Sequence, residues 1–110
     1  MAEKISSAPK VLIVSNQQTT GPLWVFSLQQ QKLQVALESE PSNTLARWEK
    51  EIPDLIILDI NLPEAATLEL IRSMRAEMII PIMLLTPARS EDFILEAYAA
   101  GVDDCMVKPV

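Results

Sequence analysis

The chain has 110 residues, 49% of them hydrophobic and 22% charged, which is the size and usage of one domain with one core and unlike a disordered segment. Its formal charge of −6, with Lys and Arg scattered, excludes a nucleic-acid footprint on this domain. Histidine is absent and Cys105 is the single cysteine, so the usual zinc-ligand sets and any internal disulfide are ruled out, and a reducing compartment fits.

The segment from Met1 to Lys10 lacks the apolar stretch of a signal peptide. The longest greasy run, Met78 to Leu85, is broken by Pro81 and far shorter than the ~20 residues of a spanning helix. A soluble, cytoplasmic domain without membrane association is expected. The first apolar run, Val11 to Val14, predicts a strand. A helix then opens at Pro22, where a missing N–H is harmless, and runs to Gln31 with Leu23 and Phe26 toward the sheet. From Leu33 to Leu37 the larger apolar residues alternate, as on an edge strand. The second helix begins at Ser42 as N-cap and buries Leu45, Trp48 and Ile52. Leu55 to Leu58 predicts a third strand, followed by a helix from Ala65 with Leu68, Ile71 and Met74 on one side. Ile82 to Leu85 is the fourth strand. The last helix has Ser90 as cap, Glu91 and Asp92 in its first turn and Gly101 at its stop. Cys105 to Val107 completes the series. The runs starting at Val11, Leu55, Ile82 and Cys105 are apolar at consecutive positions, which predicts central strands covered on both faces.

Strands alternating with helices, joined by right-handed crossovers, give an α/β fold with a doubly wound, five-stranded parallel sheet. Residues 1–110 read as a single domain that stops right after its fifth strand. A closing helix over the face shared with the first helix is missing from this order. That predicts a C-terminal truncation at Val110, or a homodimer that covers the apolar face.

In such a sheet ligands bind beyond the carboxyl ends of the strands. The residues there are Ser15 and Asn16, then Asp59, Thr86, and Lys108 followed by Pro109. Taken singly, Asp59 equally reads as a turn cap, Lys108 as a solvated lysine and Thr86 as a strand end before Pro87. Together they sit in Leu-Asp-Ile-Asn-Leu-Pro at 58–63, Leu-Leu-Thr at 84–86 and Ala-Gly-Val-Asp-Asp-Cys-Met-Val-Lys-Pro at 100–109. In this order and spacing the motifs resemble the receiver domain of bacterial two-component response regulators, from Lys10 to Pro109. The resemblance implies strand order 2-1-3-4-5 and a role in phosphorelay signal transduction, without an enzymatic activity of its own. Asp59 would accept the phosphoryl group, Lys108 would hold its oxygens, Thr86 would donate its hydroxyl, and Pro109 would follow a cis peptide. The implied partners are a histidine kinase or phosphotransfer protein and an output domain after this chain. They would meet the face of the fourth helix and fifth strand, to which Glu91, Asp92 and Tyr98 contribute.

The departures are as informative. Where the family has two acids that bind Mg²⁺, this chain has Ser15 and Asn16, and a hard cation prefers carboxylate oxygens. A weakened Mg²⁺ site is expected, made of the Asn16 amide oxygen, Asp59 and the Asn61 carbonyl, with Glu64 as a substitute ligand. Phosphorylation would then be slow, its charge met chiefly by Lys108. Cys105 replaces the family's aromatic switch residue and reads as apolar filler; Thr67 replaces a loop glycine. The alternative is a pseudo-receiver, a phosphorylation-independent protein-interaction module. An Asp-nucleophile phosphohydrolase would need an acid two residues beyond Asp59, where Asn61 stands. A flavodoxin-type nucleotide domain would need a Gly-rich loop, and the chain has two glycines in all.

Overall fold

The computed structural model describes residues 8–87 and 90–108. Five strands, β1 Lys10–Ser15, β2 Gln34–Glu38, β3 Leu55–Asp59, β4 Ile82–Thr86 and β5 Asp104–Val107, form one parallel sheet in the order β2-β1-β3-β4-β5. Between them lie α1 Thr20–Gln30, α2 Thr44–Glu51 with a 3-10 turn at Pro41–Asn43 before it, α3 Glu64–Glu77 and α4 Glu91–Ala100. The architecture and strand order are those expected. Among the described residues no helix is long and apolar enough to cross a membrane.

The consecutive apolar runs are explained by two cores, one on each side of the sheet. Leu12, Val14, Ile56, Leu58, Ile82 and Leu84 pack with Leu68, Ile71 and Met74 of α3 and with Phe93 and Ala97 of α4. On the other face Val11, Ile13, Ile57 and Leu85 meet Trp24, Val25 and Leu28 of α1. Each fully buried Val, Leu, Ile, Met or Phe among them contributes about 1.5–3 kcal/mol by leaving water. The buried stripe of α3 and the ends of α4 are as predicted: Ser90 Oγ accepts a hydrogen bond from the Phe93 amide, and Gly101 has φ +134°.

Three local expectations are corrected. Leu23 and Phe26 do not face the sheet; they are 58% and 62% exposed, and Trp24, Val25 and Leu28 pack inward instead. With Leu, Trp, Val and Phe in a row, periodicity cannot choose a face, and the phase is set by Gly21, the buried residue on which α1 rests. In the second helix Ser42 lies in the 3-10 turn, not at an N-cap, and Ile52 is 76% exposed, because it ends α2 in the left-handed conformation at φ 48°. β5 is an edge strand with Asp104 and Met106 exposed, since three apolar residues in a row are too few to report burial on both faces.

A side-chain lock ties the far end of the sheet. Arg75 of α3 donates to the carbonyls of Met78, Ile80 and Gly101 at 2.7–3.1 Å and pairs with Asp103 at 2.7 Å. Asp103 in turn accepts the Ile82 amide at the start of β4. This end holds the frame; the opposite end carries the chemistry.

Candidate functional site

Strand register brings the predicted residues to one edge. Ser15 is paired with Asp59 across β1 and β3, Thr86 with Val107 across β4 and β5, and the Lys108 amide donates to the Thr86 carbonyl at 2.8 Å. The Asp59 side chain is fully buried at the end of β3. Its Oδ1 forms an ion pair with Lys108 Nζ. Its Oδ2 accepts two hydroxyls, Thr20 Oγ1 at 2.7 Å and Ser15 Oγ at 3.2 Å. The Asp59–Lys108 pair is the juxtaposition the sequence predicted.

Thr20 was not among the predicted residues. It reaches Asp59 because the first turn of α1 rests on the end of β1: a Cβ on Gly21 would sit 3.3 Å from Ser15 Oγ, tighter than ordinary contact. Glycine therefore allows the approach that delivers the neighbouring hydroxyl. The only signal in the sequence was a Thr followed by Gly, shortly after a strand-end Ser, and no motif distinguishes it.

Asn16 and Asn61 are brought together, but as partners of each other. The Asn61 amide donates to Asn16 Oδ1 at 2.9 Å, and Asn16 Nδ2 donates to the Asn61 carbonyl at 3.3 Å. This reciprocal pair latches the loop after β1 to the loop after β3. Thr86 is buried and borders a cleft with Glu64, Thr67, Leu84 and Phe93. A second cavity, of about 560 Å³, lies along α1 and is lined by Asp59, Lys108, Thr20, Leu23, Trp24, Ser27 and Leu85. Glu64 opens α3 at the surface, on the Thr86 cleft. Thr67 is inside α3 and buried, which corrects its expected place in a loop: the helix begins at Glu64 and absorbs it. Cys105 is half-buried against the core, and burial, aided by Asp104, raises its thiol pKa. Its packing against the core fits the expected apolar filler. Pro109, expected after a cis peptide, lies outside the described residues.

Receiver domains generally bind Mg²⁺ beside the acceptor. The donors here do not fit one: among the described residues no three His, Cys, Asp or Glu side chains come together, and Asp59, Asn16 and the Asn61 carbonyl are each engaged by protein donors.

Comparison with known proteins agrees with this geometry. The family model of the response regulator receiver domain matches residues 11–110. The chain is 32% identical over 102 residues to the alkaline phosphatase synthesis transcriptional regulatory protein PhoP of Bacillus subtilis, covering 91% of this chain and 42% of that protein. It is 33% identical over 103 residues to the transcriptional regulatory protein AfsQ1 of Streptomyces coelicolor, with 93% and 45% covered. The chain thus spans less than half the length of these relatives. Among solved structures, chemotaxis protein CheY4 of Vibrio cholerae superposes with a TM-score of 0.84 at 27% identity, covering 94% of this chain and 89% of that one. The BeF3-activated receiver domain of RstA from Klebsiella pneumoniae gives 0.84 at 28% identity, covering 92% and 86%. A family match running from β1 to the end of the chain, on a sheet of the same order with Asp59 and Lys108 joined at its edge, has one meaning: the chain belongs to the receiver domains of two-component response regulators.

Proposed function

We propose that this chain is the receiver portion of a longer, cytoplasmic response regulator and accepts a phosphoryl group on Asp59 from a histidine kinase or phosphotransfer protein. The observation that carries the reading is the ion pair of Asp59 with Lys108 at the carboxyl end of the sheet. An Asp59 oxygen attacks phosphorus, the new O–P bond forms as the bond to the donor nitrogen or acyl oxygen breaks, and the leaving group takes that electron pair. Lys108 then faces the phosphoryl oxygens, and the Ser15 and Thr20 hydroxyls turn from the carboxylate to the same oxygens. Thr86, beside Phe93 in the adjoining cleft, moves toward the new group and carries the change to α4. Leu95, Tyr98 and Met106 are exposed apolar residues on α4 and β5, a face suited to a partner or an output domain.

A second reading is favoured by one feature. Every oxygen of the Asp59 carboxylate is already held by protein donors, as in a pseudo-receiver read through contacts alone. The two readings separate by treatment with a small acyl phosphate followed by borohydride, which reduces an aspartyl phosphate to homoserine. Homoserine mapped to position 59 supports the acceptor; an unreduced Asp59 supports the contact-only module.

A further inference from the structure

We infer that this pocket takes no divalent cation, because the Ser15 and Thr20 hydroxyls together with the Lys108 ammonium have taken over the Asp59 carboxylate. The inference deepens the reading of Asp59 as acceptor and rests on it for its functional meaning.

A carboxylate offers about four lone-pair directions on two oxygens. Oδ2 spends its directions on Thr20 Oγ1 at 2.7 Å and Ser15 Oγ at 3.2 Å, and Oδ1 faces the Lys108 ammonium. A cation on Oδ2 would have to displace both hydroxyls. One on Oδ1 would meet the positive charge of Lys108.

The neighbouring oxygens offer no replacement shell. Asn16 Oδ1 accepts the Asn61 amide and the Asn61 carbonyl accepts Asn16 Nδ2, so each of the two expected ligands is turned on the other. The formal charges of Asp59 and Lys108 cancel, and no other carboxylate joins them among the described residues. Mg²⁺ demands near-octahedral oxygen ligands and sheds water reluctantly; a carboxylate whose Oδ2 holds two hydroxyls and whose Oδ1 is paired with an ammonium offers it little for that dehydration. Hydroxyls donated to Oδ2 fix the carboxylate without a cation, and Lys108 supplies positive charge at Oδ1.

The test uses Mn²⁺ as the probe. The electron paramagnetic resonance signal of free Mn²⁺ is measured against the chain and against Asp59→Asn at matched ionic strength. The same free fraction in both is expected, and retention of Mn²⁺ by the chain that Asp59→Asn releases would overturn the inference. A readout on the unaltered chain stands beside it: Mg²⁺ at constant ionic strength should leave the Tm unchanged, whereas a saturable rise would contradict the inference. The double change Ser15→Asp with Asn16→Asp should create Mn²⁺ retention. Neither readout depends on phosphorylation. If position 59 fails to accept phosphate while Mn²⁺ stays free, the acceptor reading falls and the cation-free pocket stands; Asp59-dependent retention with phosphorylation intact gives the reverse.

Discussion

The Thr20 hydroxyl lies 2.7 Å from Asp59 Oδ2, closer than Ser15 Oγ at 3.2 Å, and so couples the first turn of α1 to the end of β3. A buried carboxylate stripped of a donor loses part of its solvation, at about 1–3 kcal/mol. Thr20→Val, which keeps the side-chain shape, should lower the urea-derived stability by that amount and by more than Ser15→Ala does. In an Asp59→Asn background the loss should shrink. Equal losses in both backgrounds would place the effect in packing of α1.

Lys108 stabilises the same group through charge. Lys108→Met leaves the Asp59 carboxylate buried without its cation. Removing one partner of a buried pair costs about 3–5 kcal/mol; the Lys108 side chain is 25% exposed, so about 2–3 is expected. Adding Asp59→Asn should restore most of the loss. A double variant no more stable than Lys108→Met would contradict the pairing as the source.

At the other end of the sheet, Arg75 holds three main-chain carbonyls and Asp103. Arg75→Met should destabilise by about 2–3 kcal/mol, because those carbonyls lose charged donors. Gly101→Ala should also destabilise, by more than about 1 kcal/mol, since φ is +134° and the added Cβ would stand 2.9 Å from Arg75 Cβ and Cγ. Neither change should affect phosphoryl uptake at position 59.

The pH dependence has a defined sign at Glu51. Its pKa is lowered from 4.5, first by the hydrogen bond from Lys10 at 3.2 Å, with partial opposition from burial and further help from Arg47 at 3.4 Å. A lowered carboxyl pKa contributes stability that is full above the unfolded value and is lost as pH falls through the folded one. Glu51→Gln should therefore be less stable than the parent at neutral pH, by under about 1 kcal/mol for so accessible a pair. The difference should shrink as pH falls from the unfolded value through the lowered folded one, and vanish once Glu51 is protonated in both states. A difference that persists in acid would assign it to packing.

The sheet was legible in the sequence because burial on two faces writes itself as consecutive apolar residues at β1, β3 and β4; the alternation at β2 marked an edge strand, although Val35 and Leu37 pack on one core and Ala36 on the other, so neither face is simply exposed. The orientation of α1 was not, since Leu23, Trp24, Val25 and Phe26 are all apolar and the deciding residue is Gly21, whose role is an absence of side chain. Asp59 and Lys108 were found as strand-end residues in motif spacing. Thr20 was not, because its hydroxyl acts across 39 positions in the chain and its place depends on how closely α1 approaches β1. The mutual pairing of Asn16 and Asn61 was likewise hidden: composition suggests oxygen ligands, and only geometry reveals that they are engaged with each other.

The proposed transfer of a phosphoryl group to Asp59 in a pocket without a cation is open to one direct measurement. Intact mass is followed over time with a small acyl phosphate, in Mg²⁺ and in EDTA, for the chain and for Asp59→Asn. A single phosphoryl adduct is expected, forming slowly, at the same rate with and without Mg²⁺, and not at all in Asp59→Asn. No adduct under any condition, an adduct that survives Asp59→Asn, or one that requires Mg²⁺ would contradict it.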